Sequence, residues 1–272
     1  MKMPPLTEYP FPGDTYDTPT DTPRYLVDRI FFGARIGFLV NLYRIITTGD
    51  KLSARGMFDK YVFARHAYEV LLAVENSGGR LHIEGIDHIR NNKGPFVIVS
   101  NHMSTLETFL YPCLFNYYHD VTYVVKESLL KRKGFSEIMR AIGAIGVTRL
   151  NPRDDFQRVM SEGEKLLRAG RSIIIFPEGT RHTVFVPKDF NSMGIKLAKR
   201  AGAKILPVAI KTDFWQNGKV IRDFGPFKWN TPIHVKFGAP MEIQGNGAEE
   251  HDRIVEFVRT NYLSWGGEVR EG

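Results

Sequence analysis

From residue 80 onward, short apolar β-rich runs alternate with stretches of helical period. Leu81–Glu84, Phe96–Ser100, Val121–Lys126, Ile145–Thr148, Ser172–Phe176, Ile205–Lys211 and Ile233–Phe237 read as strands. Ser104–Tyr118, Asp154–Ala169, Ser192–Arg200 and Glu249–Leu263 read as helices. This alternation predicts one α/β domain over residues 77–272, built on a single mixed sheet flanked by helices. No internal repeat and no second domain is evident.

Upstream the pattern differs. Residues 1–23 hold six prolines and no apolar run, so they predict an extended or mobile arm and do not resemble a signal peptide. Residues 24–76 predict two apolar helices. The first covers Leu26–Ile46, and Arg29, Arg35 and Arg44 interrupt it before it reaches the ~20 apolar residues of a membrane span. Its helical wheel gathers Arg24, Asp28 and Arg35 on one side, but Phe31 and Leu42 fall there too. The second helix covers about Ala54–Glu75, after a break at Thr48-Gly49-Asp50. Two readings stay open here: a hairpin docked into one membrane leaflet, or a buried hairpin capping the core.

Composition narrows the partners. A length of 272 residues with 43% hydrophobic and 25% charged residues is that of an ordinary globular protein. The net charge of +7 favours an anionic partner, whether bilayer, phosphorylated substrate or nucleic acid. Cys113 stands alone, so neither a disulfide framework nor a cysteine zinc site is expected, and a reducing compartment fits.

Three clusters have chemical potential. Asn101-His102-Met103-Ser104-Thr105-Leu106-Glu107 follows the apolar strand FVIVS. That places His102 at a strand's carboxyl end, where open α/β sheets hold ligands. Glu107 lies in the first turns of the next helix, able to accept one ring N–H and leave the other nitrogen as a base. A histidine that only serves a helix N-terminus would look the same in isolation. Phe176-Pro177-Glu178-Gly179-Thr180-Arg181 follows the strand SIIIF; its Pro ends pairing, its Gly lets backbone approach a ligand, and Arg181 offers a planar fork for phosphate. A charged turn is the plainer reading of that segment. Gly143-Ala144-Ile145-Gly146-Val147-Thr148-Arg149 brings a further arginine to a strand end, after the basic run Lys131-Arg132-Lys133.

Together and in this order, the three clusters resemble the signature blocks of the glycerolipid acyltransferases related to bacterial 1-acylglycerol-3-phosphate acyltransferase. ILPVAI, with Pro207, is similar to a fourth block. The looser likeness runs from about residue 80 to 240. Two positions depart from the pattern: Glu107 stands where the family has Asp, and HTVFVPKDFNSMG lacks the usual Ser after the Arg and the Phe-Lys-x-Gly pattern. The latter leaves the acceptor's headgroup open.

The resemblance implies an O-acyltransferase of phospholipid biosynthesis. It implies His102 and Glu107 as the catalytic pair, with Arg149, Glu178, Gly179, Thr180 and Arg181 binding a lysophosphatidic-acid-like acceptor. The acyl donor would be acyl-CoA or acyl-carrier protein, with no cofactor and no metal, at the cytoplasmic face of an anionic membrane. Other chemistries have less support. There is no Gly-x-Ser-x-Gly elbow, no phosphate-binding Gly-x4-Gly-Lys loop, no Gly-x-Gly-x-x-Gly fingerprint and no His-Glu-x-x-His spacing. A non-catalytic lipid-binding relative and a nucleic-acid binder are the readings from other classes, and no nucleic-acid motif supports the second.

Overall fold

In the computed structural model, residues 7–30, 35–219 and 221–271 are described. The chain opens with β1 (Thr15–Asp17), α1 (Leu26–Ile30), α2 (Ile36–Ala54) and α3 (Lys60–Asn76). There follow β2 (Leu81–Glu84), α4 (Asp87–Arg90), β3 (Phe96–Ser100), α5 (Leu106–Phe115), β4 (Val121–Lys126), α6 (Glu127–Leu130) and α7 (Ser136–Ala141). The rest is β5 (Ile145–Val147), α8 (Pro152–Arg168), β6 (Ser172–Ile175), β7 (Val184–Phe185), α9 (Met193–Ala201), β8 (Lys204–Lys211), β9 (Ile233–Phe237), α10 (Ala248–Ser264) and β10 (Glu268–Val269).

Among the described residues eight strands form one sheet, in the order β1-β2-β9-β8-β3-β6-β4-β5. The block β8-β3-β6-β4-β5 is parallel, whereas β9 is antiparallel to β8 and β1 antiparallel to β2. The sheet is therefore mixed, as its strand pattern predicts. The central strand β3 is buried at all five positions, which its unbroken apolar run requires of a strand covered on both faces. Side-chain alternation assigns the covers. Gly194 of α9 lies so close to Val99 that an added Cβ would stand 2.6 Å from its methyl, so α9 covers the Val97/Val99 face. Ser100 points the other way, to the Tyr111 hydroxyl of α5 at 2.6 Å. Helix α3 packs over α5 in turn.

Of the two forms expected for the N-terminal region, extended or mobile, residues 9–18 take the extended one, as a strap sewn onto the domain. β1 pairs with β2, and Phe11 is fully buried with edge contacts to Tyr9, Tyr16 and Tyr68. Tyr16 and Thr18 each donate to the buried Glu75 carboxylate at 2.7 Å. Spaced aromatics in a proline-rich stretch thus bury surface without any helical or strand period. The first six residues of the expected arm, and Phe31, lie outside the described residues.

The expected first helix is divided into α1 and α2, and α2 runs straight through Thr48-Gly49-Asp50. Gly49 is there for a close approach: a Cβ would stand 3.1 Å from Ile138 and 3.3 Å from Phe58. Helix α2 is apolar on both sides. Phe38, Leu42 and Ile45 are buried, with Phe38 edge-on to Trp215 and Phe227 at 4.9 Å. Val40 and Tyr43, on the outer side, are 62% and 73% exposed, beside exposed Leu26, Ile30, Ile36 and Leu39. One face caps the core; the other has no protein cover among the described residues.

Because Phe11 is a core residue, Phe11→Ala is expected to cost about 3–5 kcal/mol of unfolding free energy, as for other buried aromatic truncations. Urea unfolding measures it, and a cost under about 0.5 kcal/mol would favour the mobile form of the arm.

Candidate active site

The turn after β3 is locked before any catalytic group is placed. The Asn101 side chain makes a two-way pair with Ile210, donating to its carbonyl and accepting from its N–H, both at 2.9 Å. The pair imitates one more ladder rung between β3 and β8, so the chain leaves the sheet at a fixed point. His102 comes next.

Glu107, on the first turn of α5, folds back under that turn. Its Oε1 accepts from His102 Nδ1 at 2.8 Å and from the main-chain N–H groups of Met103 and Ser104 at 2.8 and 2.9 Å. Its Oε2 accepts from the hydroxyls of Ser104 and Thr212 at 2.9 and 2.7 Å. The carboxylate is wholly buried. Burial alone would raise its pKa, but the bond from His102, the charge of that ring and the Thr212 hydroxyl outweigh it, holding the group below the usual carboxylate range. An ionised carboxylate only accepts, so Nδ1 carries the proton and Nε2 is the free nitrogen. Among the described residues Nε2 has no hydrogen-bond partner, and the ring lines a cavity. One Glu107 oxygen thus reaches both the imidazole and two backbone N–H groups.

The turn after β6 clamps His102 from the other side. Phe176 stacks on the imidazole, with centroids 4.1 Å apart and planes 20° apart. Glu178 Oε2 accepts the His102 main-chain N–H at 2.5 Å, and His182 N–H donates to the His102 carbonyl at 2.9 Å. Glu178 therefore faces the histidine's backbone. Burial pushes its carboxyl up to about 8, with the nearby Glu107 and Asp189 charges adding to the rise and the His102 N–H opposing it. Gly179 has φ +66°, and an added Cβ would meet nothing within 4 Å, so glycine serves the turn's conformation there.

Arg181, with a side chain 13% exposed, reaches the Thr105 hydroxyl and pairs with Asp223 at 2.7 Å. Asp223 also pairs with Arg132 at 2.6 Å. Arg149 adopts a left-handed φ of 63°, uncommon for a residue with a side chain. Asp155 holds it there by accepting the N–H groups of Thr148 and Arg149 at 2.8 and 2.7 Å. Partial burial lowers the Arg149 pKa, and the neighbouring Arg222 and Arg181 charges add to the effect.

His102, Arg149, Gly179, Thr180 and Arg181 thus line one cavity of about 830 Å³, while Glu107 and Glu178 stand behind His102. An apolar wall from α2, α3 and the turn between them, including Ile45, Phe58, Phe63 and Val70, completes it. The volume is that of a site for a sizeable small molecule. Sequence reasoning missed Ser104, Thr212, Arg132, Arg222 and Asp223. Ser104-Thr105-Leu106-Glu107 has the Ser-x-x-Glu spacing of a capping box, a signal for Ser104. Thr212 and Asp223 meet the site only through the folding of β8 and its following loop.

The fold is that of the 1-acyl-sn-glycerophosphate acyltransferase PlsC from Thermotoga maritima, whose crystal structure superposes with a TM-score of 0.66 over 88% of this chain and 97% of that one, at 19% identity. Residues 80–211 match the family model described as Acyltransferase. Similar proteins include the 1-acyl-sn-glycerol-3-phosphate acyltransferase of Pseudomonas aeruginosa, 30% identical over 172 residues, or 63% of each chain. That of Borreliella burgdorferi is 31% identical over 136 residues, 49% of this chain and 52% of the relative. The aligned region thus spans between half and two thirds of those relatives' lengths.

The raised pKa of Glu178 makes a stability prediction. Its folded value of about 8 exceeds the ordinary 4.5, so the fold favours the neutral form. That contribution is full below about 4.5 and is lost as pH rises towards 8. Glu178→Gln keeps a carbonyl acceptor for the His102 N–H and removes the titration. Melting temperatures measured from pH 5 to 9 should show the wild type falling relative to the variant; parallel curves would contradict the assignment.

Proposed function

We propose that the protein transfers a fatty acyl group from an acyl thioester, acyl-CoA or acyl-carrier protein, to the free hydroxyl of 1-acylglycerol-3-phosphate, forming phosphatidic acid. The observation that carries this reading is the His102 ring, with Nδ1 2.8 Å from a buried carboxylate, lining a cavity that joins arginines to an apolar wall. The match of residues 80–211 to the acyltransferase model and the names of the similar proteins support it.

In this mechanism Nε2 takes the acceptor's hydroxyl proton as its oxygen bonds to the thioester carbonyl carbon. The imidazolium that forms is stabilised by Glu107 at 2.8 Å. The tetrahedral intermediate then expels the thiolate as the C–S bond breaks. A thiol pKa near 8.5 makes that a good leaving group, so little acid help and no covalent enzyme intermediate are required. Arg149 and Arg181 bind the acceptor's phosphate by charge-assisted bonds. Glu178, Gly179 and Thr180 shape the turn that holds the histidine and the glycerol, and the apolar wall takes acyl chain. The residues need no cofactor for this chemistry.

No described helix is long and apolar enough to cross a membrane. The uncovered apolar face of α1 and α2 supports docking in one leaflet of an anionic membrane, on the cytoplasmic side, with the positively charged protein above it.

Three outcomes follow. His102→Ala should lower acyl transfer to lysophosphatidic acid by on the order of 10²–10⁴-fold with melting temperature retained, the range for a lost general base; turnover like the wild type's would remove His102 from the mechanism. Glu107→Asp should keep partial activity and Glu107→Gln much less, because only the former keeps the charge; equal activity in Gln and wild type would reduce Glu107 to a helix-terminus charge. Val40→Asp with Tyr43→Asp should abolish co-sedimentation with anionic vesicles, since both side chains are exposed and their loss leaves the core alone. Unchanged sedimentation would move the docking surface elsewhere. A protein that binds lysolipid but consumes no thioester would be the non-catalytic relative.

A further inference from the structure

The cavity holds more positive charge than the catalytic reading uses. Arg132, Arg149, Arg181 and Arg222 all line it. One carboxylate sits among them: Asp223 gives one oxygen to Arg132 at 2.6 Å and the other to Arg181 at 2.7 Å. The guanidinium of Arg222 donates to the Arg181 carbonyl at 3.0 Å. Neither Arg149 nor Arg222 has an ion pair among the described residues. Asp155, the other carboxylate on the cavity wall, is engaged by the Thr148 and Arg149 main-chain N–H groups.

Asp223 belongs to the loop between β8 and β9. That loop is anchored on either side of it, by Trp215 and Phe227 against Phe38 and by the Gln216 N–H on the Pro226 carbonyl at 2.9 Å. Within its tip Gly218 N–H donates to the Arg222 carbonyl and Phe224 N–H to the Ile221 carbonyl, both at 3.0 Å. A carboxylate bridging two arginines, on a loop that lines the cavity, has the charge and geometry of a bound anion.

Resting on the proposed acceptor class, we propose that Asp223 is an internal stand-in for the acceptor's phosphate, displaced when substrate binds, and that Arg132 and Arg222 are phosphate-binding residues alongside Arg149 and Arg181. The stand-in sets specificity. A tethered carboxylate competes at an effective concentration on the order of millimolar. A phosphodiester headgroup offers one negative charge, so exchanging it for Asp223 gains little. A phosphomonoester has a charge of about −1.5 to −2 and three free oxygens. It can take both arginines from Asp223 and still engage Arg149 or Arg222. The site therefore selects lysolipids with a terminal phosphate against those whose phosphate is esterified twice.

Two measurements test this. In steady-state assays the wild type should prefer lysophosphatidic acid over lysophosphatidylglycerol. Asp223→Asn and Asp223→Ser should each lower the KM for lysophosphatidic acid roughly tenfold and narrow that preference, while Arg132→Gln should raise the KM roughly tenfold, the scale of one charge-assisted bond. The thioester's KM is the internal reference. In calorimetry with inorganic phosphate, both Asp223 variants should bind more tightly than the wild type. A raised lysophosphatidic acid KM or weaker phosphate binding in the Asp223 variants would make Asp223 a prop that orients Arg181, and would overturn the inference. So would equal use of the two lysolipids by the wild type, a result needing no variant. Wild-type inactivity towards lysophosphatidic acid, with activity on another lysolipid, would instead overturn the proposed acceptor.

Discussion

The buried carboxylate of Glu107 is the point on which the site depends. On the first turn of α5, it gathers five hydrogen bonds from two other parts of the chain: four from the turn after β3 and one from Thr212 beyond β8. A fully buried charge is tolerated only when its lone pairs are filled, and here they are. The same bonds that keep it ionised set the direction of the imidazole. Loss of the charge would therefore alter the turn, the helix start and the histidine together.

A second layer of constraint comes from β6. Phe176 fixes the ring plane, and the Glu178 carboxyl and His182 N–H hold the main chain on either side of the ring. The two blocks that stand some 70 residues apart in sequence are neighbours because β3 and β6 pair in parallel. Parallel strands send both following turns to the same edge of the sheet, which is why strand ends carry the chemistry. The left-handed Arg149 is held at that edge by Asp155, and β5 delivers it through β4.

Much of this was legible in the residues. The fully buried strands announce themselves as apolar runs, and β2, β3, β4 and β9 fall on the expected bounds. His102, Glu107, Arg149 and Arg181 each follow or begin at a strand end, so their convergence could be anticipated. What could not be read depends on tertiary contact. Gly49 looks like a helix break until Ile138 and Phe58 are seen against it, and the strap holding Phe11 has no period to detect. Asp223 lies in a loop whose sequence carries no motif; only the fold sets its carboxylate between Arg132 and Arg181. The outward face of α2 was legible as apolar, but its division into a buried and an open side needed the packing of Phe38 on Trp215.

The proposed mechanism turns on one protonation state: Nδ1 of His102 bears the hydrogen, donated to Glu107, and Nε2 is the free base. Nitrogen-15 NMR of the imidazole reads this directly. In the neutral form of the wild-type ring, the His102 Nδ1 should show a directly bonded proton and Nε2 the shift of an unprotonated nitrogen, and Glu107→Gln should weaken that preference. A neutral ring protonated at Nε2 in the wild type, or an unchanged tautomer in Glu107→Gln, would contradict it.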